Sequence, residues 1–537
     1  MIPFDQLPGL HPLFVDYMAD RIDNPALYPG TVWDFDHWLS CIEAARQAQV
    51  NRPELCNVLR AYNTALGNDA AAMENIDRLG ENGTIAVVTG QQAGLLTGPL
   101  YTLYKAMTAI RLADFITRKW QQPAVPVFWV ETGDHDFAEI ASVHLMNADG
   151  TPNTATCSPA EPNLPVPVAE LTVDNAVRAC LDQAAGSLAQ SDFQPQIADQ
   201  IQRTYPYGGS LSVGFGTLLA QLLRGSGLVL IDPSDPGVKS LSRPFYRDVI
   251  EKRAALHEAL VQQTDAVRQA GYTPQVTIPE RTSHLFYRGP EGRVRIDEQD
   301  GIFTLGAERC SASELLEIVD TETEKISPSV LTRPLLQDTL LPTAMTVVGP
   351  GETAYMAQLL HAYELLGRPM PAPAPRMSVT LVERPVQRIL EKRGLSIQTV
   401  LNEKDGGLAR LLRAGQNLPV GDRMQEAGKT VDSLFAQLET LARDVDVTLV
   451  DAVANAGKKV RYQVENLEQK MMRALERRES TLVQQTQRCR AALCPDDHLQ
   501  ERYVNIFAYI AKYGPDVVER IAKQLDPFAR GHQVIEL

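Results

Sequence analysis

The first eighty residues of the chain are mostly polar and read as helical. The pattern then changes. Thr84-Ile85-Ala86-Val87-Val88-Thr89 is a continuous apolar, largely β-branched run, as expected of a strand covered on both faces. A turn follows at Gly90-Gln91-Gln92-Ala93-Gly94. Gly98 and Pro99 then suit the N-cap and first position of a helix from about Leu100 to Trp120. Val125 to Val130 is a second buried-type strand. Strand, turn, helix and strand make a βαβ unit with a right-handed crossover.

The alternation continues. Leu228 to Ile231 is an apolar strand ending at Asp232, and a helical pattern fills Pro244 to Ala270. Arg293 to Phe303 reads as a small antiparallel hairpin. Ala344 to Val348 is another buried strand, running into Gly349-Pro350-Gly351-Glu352 and a helix through Leu366. Such alternation predicts an α/β fold with a doubly wound, mainly parallel sheet.

Met370-Pro371-Ala372-Pro373-Ala374-Pro375 reads as a stiff boundary. Beyond it, Val431, Leu434, Leu438, Leu441, Val445, Thr448, Ala452, Ala456 and Val460 form one stripe, continued by Val464, Leu467, Met471 and Ala474. The spacing predicts a coiled coil or a long antiparallel helical hairpin. As one helix it would span roughly 65 Å. The expected organisation is a helical segment at 1–80, an α/β core at 81–375 with insertions near 150–225 and 272–330, an α-helical coiled-coil domain at 376–500, and a tail at 501–537 packing back on the core.

Composition narrows the function. The chain has 537 residues, 44% hydrophobic and 22% charged, as in ordinary globular proteins. A net charge of −15 disfavours nucleic acid and anionic membranes as partners. No run approaches the roughly 18 apolar residues of a membrane helix, and the first twenty residues do not read as a signal peptide. The seven cysteines form no C-x-x-C pair, so a reducing cytoplasm is expected. Histidines and cysteines never cluster at ligand spacing, so no structural metal is expected.

Ligands of open parallel sheets bind outside the carboxyl ends of the strands. Three stretches fall there. The first is Thr89, Gly90, Gln91, Gln92 and Gly94, continuing to Gly98, Tyr101 and Lys105. Glycines admit a ligand close to the backbone, a helix start offers N–H groups to an anion, and glutamine amides both donate and accept. The bland alternative is a tight turn, with Lys105 too deep to reach a ligand. The second is Asp134-His135-Asp136, with Glu131 and Glu139 nearby. A histidine flanked by carboxylates can serve as a general base or hold a divalent metal; the aspartates can equally be helix caps. The third is Gly349, Gly351, Glu352 and Tyr355, with Arg333 and Gln337 upstream. Arg333 can clamp a carboxylate or form a surface pair, and Glu352 can position substrate or complement a helix dipole. The G-x-x-x-x-G-K-[ST], G-x-G-x-x-G and G-x-S-x-G motifs are absent. Lys325 to Ser329 only faintly resembles a synthetase lysine-serine loop.

Together these blocks resemble the bacillithiol cysteine-ligase (BshC) family: Val88 to Leu95 through Gly98-Pro99-Leu100-Tyr101; Pro126 to Trp129 with Asp134-His135-Asp136-Phe137 and Glu139-Ile140; Arg333-Pro334 with Gln337-Asp338; Gly349 to Glu352 with Ala354-Tyr355. Asn505 to Phe507, Tyr513-Gly514, Leu525 to Phe528 and Gly531 to Ile535 match near the end. The resemblance runs from about residue 84 to the C-terminus. It implies a Rossmann-like core related to class I synthetases and a C-terminal coiled coil that makes a homodimer. It implies an amide-forming ligase that joins cysteine to glucosaminyl-malate. An amide from a carboxylate points to ATP, with ADP as a bound product, and to Mg²⁺. One departure is Gly133, where relatives carry an acid; Glu131 is the candidate substitute. On this reading Gln91, Gln92 and Gly94 bind carboxylate or phosphate, His135 with Asp134 or Asp136 deprotonates the amine, and Arg333 and Glu352 position substrate. Ser378, Glu383, Asn505, Tyr509 and Tyr513 are candidates for a second nucleotide site, or for simple docking of the tail. The competing readings are a synthetase or nucleotidyltransferase with another substrate, and a non-catalytic coiled-coil scaffold.

Overall fold

The structure, a computed structural model, describes residues 1–22, 24–147, 150–157, 165–403 and 420–537. Parts of the expected insertion (158–164) and of the expected helical domain (404–419) lie outside the described residues. The chain forms two compact units, Met1–Val382 with His498–Leu537, and Glu383–Asp497.

The strands of the first unit are β1 (Ile85–Gln92), β2 (Ala124–Glu131), β3 (Ser142–Met146), β4 (Pro152–Thr156), β5 (Val229–Ile231), β6 (Thr282–Gly289), β7 (Gly292–Gln299), β8 (Ile302–Leu305), β9 (Glu308–Ser311), β10 (Ile326–Pro328), β11 (Thr343–Val348), β12 (Ala372–Pro375), β13 (Val379–Val382) and β14 (Gln533–Glu536). The main sheet has the order β12-β11-β1-β2-β5, and every pair in it is parallel. Both faces are covered, which is why its strands read as apolar runs. Ile85 and Val87 of β1 pack with Ile42, Leu112 and Ile116 on one face, while Ala86 and Val88 join Val249 and Leu335 on the other. All four β1 side chains are fully buried. Burying a valine or isoleucine contributes about 1.5–3 kcal/mol. The Rossmann-like, doubly wound α/β class is therefore what the molecule has.

Several elements differ from the sequence reading. The helix after β1 spans Leu100–Trp120 as expected, but its cap is shifted by one residue. Pro99 takes the cap position and Gly98 a left-handed φ of 69°. The 244–270 pattern is two helices, Pro236–Glu251 and Arg253–Gln269. Pro244 lies inside the first, because Asp235 and Pro236 supply the stronger start: the Asp235 carboxylate accepts from Gly237 N and Val238 N. The helix to Leu366 is broken into Pro350–Met356 and Leu360–Leu365. The 293–303 hairpin is β7 and β8 of a larger antiparallel sheet, β10-β6-β7-β8-β9. The Pro-rich stretch is no linker. Its last four residues form β12, an edge strand paired with β11, where Pro373 and Pro375 recur every second residue and their missing N–H groups leave no ladder bond unmade.

The 498–537 segment returns to the first unit. β14 pairs in parallel with β13, and Gln500 bonds both the N–H and the C=O of Leu381. In the second unit, the long stripe is divided between two helices, Val420–Val445 and Val450–Leu493, which pack against each other as a hairpin. A single 65 Å helix is thus replaced by its alternative. Asp446 makes the break: its carboxylate accepts from both the N–H and the hydroxyl of Thr448. No helix among the described residues is long and apolar enough to cross a membrane.

Candidate active site

The carboxyl ends of β1, β2 and β11, roofed by the inserted sheet, enclose a cavity of about 700 Å³. That is ample for a small-molecule substrate. Gly90, Gln91, Gln92, Tyr101, Asp134, His135, Arg333, Gly349, Gly351, Glu352 and Tyr355 all line it, so the three stretches singled out above meet at one place.

Lys105 also lines the wall and is almost fully buried. It is not too deep to reach the site, yet it is not free for a ligand. An ammonium has three protons, and here they go to Gly90 O (2.8 Å), Gln91 Oε1 (2.8 Å) and Glu352 Oε2 (2.5 Å). Burial lowers the Lys105 pKa, opposed by Glu352. Glu352 also accepts from Gly349 N at 2.7 Å, closing the start of its helix. Lys105 therefore ties the β1 turn to the β11 turn, and Gln91, held by Lys105, donates to Tyr101 OH.

Arg333 has the opposite surroundings. It opens the helix Arg333–Leu340, and its guanidinium meets only neutral acceptors, Gln337 Oε1 at 3.1 Å and Tyr355 OH at 3.2 Å. Burial opposes its charge, while Tyr355, Glu131 and Glu352 favour it. Among the described residues it forms no carboxylate ion pair. Gln337, expected to touch ligand, is instead fully buried behind Arg333, where it orients the guanidinium.

Asp134 and His135 follow β2. Asp134 accepts from Gln92 Nε2 (2.7 Å) and from His135 N (2.7 Å). Burial would raise its pKa, but hydrogen bonding with His135 and the charge of Arg293 outweigh it and hold the carboxyl at about 2. Arg293, from β7, lies 3.8 Å over the Phe286 ring and reaches His135 Nδ1 at 2.9 Å. A guanidinium only donates, so Nδ1 is the acceptor and Nε2 carries the ring proton. Asp134 Oδ1 is farther from Nδ1, at 3.4 Å. In this arrangement His135 offers a donor, not the free lone pair a general base needs. Asp136 does not line the cavity. It stands before the short helix Phe137–Ile140 and makes no side-chain cap bond there.

Glu131 lines the cavity, accepting from Trp129 Nε1 and Gly133 N. A Cβ on Gly133 would stand 3.2 Å from Glu131 Oε1, so the Glu131 carboxylate occupies the space into which a side chain at 133 would grow. Glu139, on the rim, has a raised pKa from partial burial and then from Asp136 and Asp134. Gln92 Oε1 is buried with no partner among the described residues, an acceptor at the cavity wall.

Other expected residues do not reach the cavity. Thr89 is buried and bridges β1 to Val347 O of β11 (3.1 Å). Gly94 and Gly98 shape the turn; neither lines the space. Ser378 is buried, bonded to Glu501 and His532. Tyr509 is buried in an apolar cluster against which Tyr513 packs. Asn505 holds backbone carbonyls of the β1 loop. Glu383 belongs to the second unit, at the cap of the helix Arg384–Arg393. Arg293, Phe286, His284, Arg376 and Arg502 line the cavity and were not foreseen. The only local signal for any of them was the strand pattern around Arg293. His284 shows itself in the backbone, with a buried left-handed φ of 65° and Nε2 3.2 Å from His257 Nδ1. Among the described residues no three His, Cys, Asp or Glu side chains are grouped to hold a metal ion.

Fold and cavity define a Rossmann-like α/β protein with a cation-lined pocket at the carboxyl edge of its parallel sheet and a separate helical hairpin unit. Residues 2–377 match the N-terminal Rossmann-like domain, and residues 379–537 the C-terminal coiled-coil domain, of bacillithiol biosynthesis BshC. The chain belongs to the bacillithiol biosynthesis BshC family. A relative from Salinibacter ruber is 34% identical over 533 residues, covering 97% of this chain and 96% of its own. One from Koribacter versatilis is 34% identical over 522 residues with the same coverage, and one from Geobacillus kaustophilus 31% over 535, covering 98% of each. All three bear the name "Putative cysteine ligase BshC".

Proposed function

We propose that the chain joins the carboxylate of L-cysteine to the amine of glucosaminyl-malate, forming the amide of bacillithiol. Family membership supports the reaction class. The observation that carries the anionic substrate is Arg333, a half-buried guanidinium facing the cavity whose hydrogen-bond partners among the described residues are neutral. Glu131 and Glu352 favour that charge without bonding it, so an arriving carboxylate supplies the direct charge-assisted partner the guanidinium lacks. Tyr355 OH shares that carboxylate, and Gln92 Oε1 accepts from a ligand N–H or O–H. His135 Nε2–H, oriented by Arg293, donates to the second substrate. Glu139, whose proton affinity is raised, takes the proton released when the amine attacks.

Amide formation also requires the leaving oxygen of the carboxylate to be activated, and ATP with Mg²⁺ is the proposed source. The glycine backbone at Gly90, Gly349 and Gly351 and the rim cation Arg502 suit phosphates. Mg²⁺ travelling on the nucleotide needs only one or two protein carboxylates. The reading places the protein in the cytoplasm, in keeping with seven free cysteines. It also makes the hairpin unit a homodimer contact. Leu434, Leu441 and Val445 are 52%, 59% and 71% exposed, beside a wholly apolar groove that includes Leu438 and Leu449.

The test is thermal shift with glucosaminyl-malate and cysteine on wild type and Arg333→Met. The expectation is a ligand-dependent rise in wild type and a loss of affinity of about tenfold or more in the variant, since a hydrogen bond to a charged group contributes about 1.5–3 kcal/mol. Equal shifts in both proteins would remove Arg333 from substrate binding.

A further inference from the structure

We infer that Asn505 is a positioning residue that holds the active-site loop in a strained conformation. The loop runs from Gln92 to Leu100. Three successive residues in it are left-handed: Leu96 (φ 51°), Thr97 (φ 74°) and Gly98 (φ 69°). Only glycine adopts that region readily; a β-branched threonine resists it most. Leu96 and Thr97 are fully buried, and the Thr97 hydroxyl has no partner among the described residues. Apart from Gly98, nothing in the loop's own sequence favours this shape.

What favours it arrives from about four hundred residues away. Asn505 is 1% exposed, and its Nδ2 donates to Leu96 O at 2.8 Å and to Gly98 O at 2.7 Å. The two carbonyls flank Thr97, so one amide group staples the strained residue from both sides. Its Oδ1 accepts from Phe507 N, its own N–H donates to His144 O, and Leu100 N donates to the neighbouring Val504 O. Every hydrogen-bonding atom of the Asn505 side chain is engaged, and the staple is itself anchored. An aspartate would lack both donors.

The consequence falls on the cavity. The loop separates Gln91 and Gln92 from Tyr101 and Lys105, and Gln91 bonds both of the latter. Asn505 touches no cavity space, yet it sets the span between these two pairs. Its loss lets the loop relax and misplaces them.

Hydrogen–deuterium exchange on the full-length protein tests this for wild type, Asn505→Ala, Thr97→Gly and the double variant. Asn505→Ala should speed exchange at residues 93–105 by about tenfold or more while the rest of the chain is little changed. In the Thr97→Gly background, where a left-handed φ is free of strain, the same substitution should have a much smaller effect. Additive effects, unchanged exchange at 93–105, or faster exchange spread through 498–537 would each overturn the proposal. Should Asn505→Ala fail to fold, Thr97→Gly alone decides. Relief of strain keeps its Tm at or above wild type, and a fall overturns the proposal. The turnover arm rests on the function proposed above: kcat in Asn505→Ala should fall by about 10- to 100-fold with partial recovery in the double variant. An inactive wild type would refute that function and leave the exchange result to decide the role of Asn505.

Discussion

Lys105, buried, and Arg333, half-buried, are cations of one cavity, and their surroundings give them different work. Lys105 has spent its three protons on protein acceptors, so it shapes the site. Arg333 pairs with no carboxylate among the described residues, and on the proposed reading it takes that of the substrate. Both positions were legible as residues of interest, but the division between them was not, because it depends on Glu352 and Tyr355 arriving from other elements. His135 was equally visible, and its hydrogen-bonding state was not, since Arg293 comes from 158 residues away in an inserted strand. Asp232 shows the same limit. It reads as the end of a strand, but the fold buries it to 8% exposure beneath Thr132 and Ser234. Burial, with a smaller contribution from Asp235 and Glu131, raises its pKa to about 6. A carboxyl raised in the folded state opposes folding when ionised. That penalty is absent below the unfolded value near 4 and complete above about 6. Asp232→Asn keeps the Thr132 and Ser234 bonds and should therefore raise Tm at pH 8 but not at pH 4, the shift being worth at most about 3 kcal/mol. A gain of equal size at both values, measured by calorimetry, would show that ionisation of Asp232 is not the cause.

At the scale of elements, the strands were the legible part. β1, β2, β5 and β11 lie where continuous apolar runs placed them, because two-sided burial leaves no other pattern. Turns and breaks were harder. Three- and four-residue spacing between Val431 and Ala474 fits one helix or two, since an antiparallel partner buries the same stripe. Only Asp446 and its bonds to Thr448 mark the reversal. The Pro-rich stretch lies at the end of the Rossmann-like part of the chain, as read, but the strand within it was not legible: proline forbids a central strand and not an edge. The hairpin's exposed row carries its own prediction. Leu441→Asp with Val445→Asp should convert a dimer to a monomer in analytical ultracentrifugation, with little loss of helix by circular dichroism. A dimer that survives both substitutions would place the subunit contact elsewhere.

For the whole molecule, the order of blocks along the chain pointed to the family before any geometry was at hand, while the cavity itself could not be foreseen. It is closed by an antiparallel sheet, β6 to β10, that sequence reading glimpsed only as one hairpin, and its loop is held by the last forty residues. The site is thus a property of the entire first unit and of no single motif. The most direct measurement is mass spectrometry of the purified full-length protein incubated with L-cysteine and glucosaminyl-malate, with and without ATP and Mg²⁺. The account predicts bacillithiol in the tube that contains ATP and none in the other. Intact substrates in both tubes would contradict it.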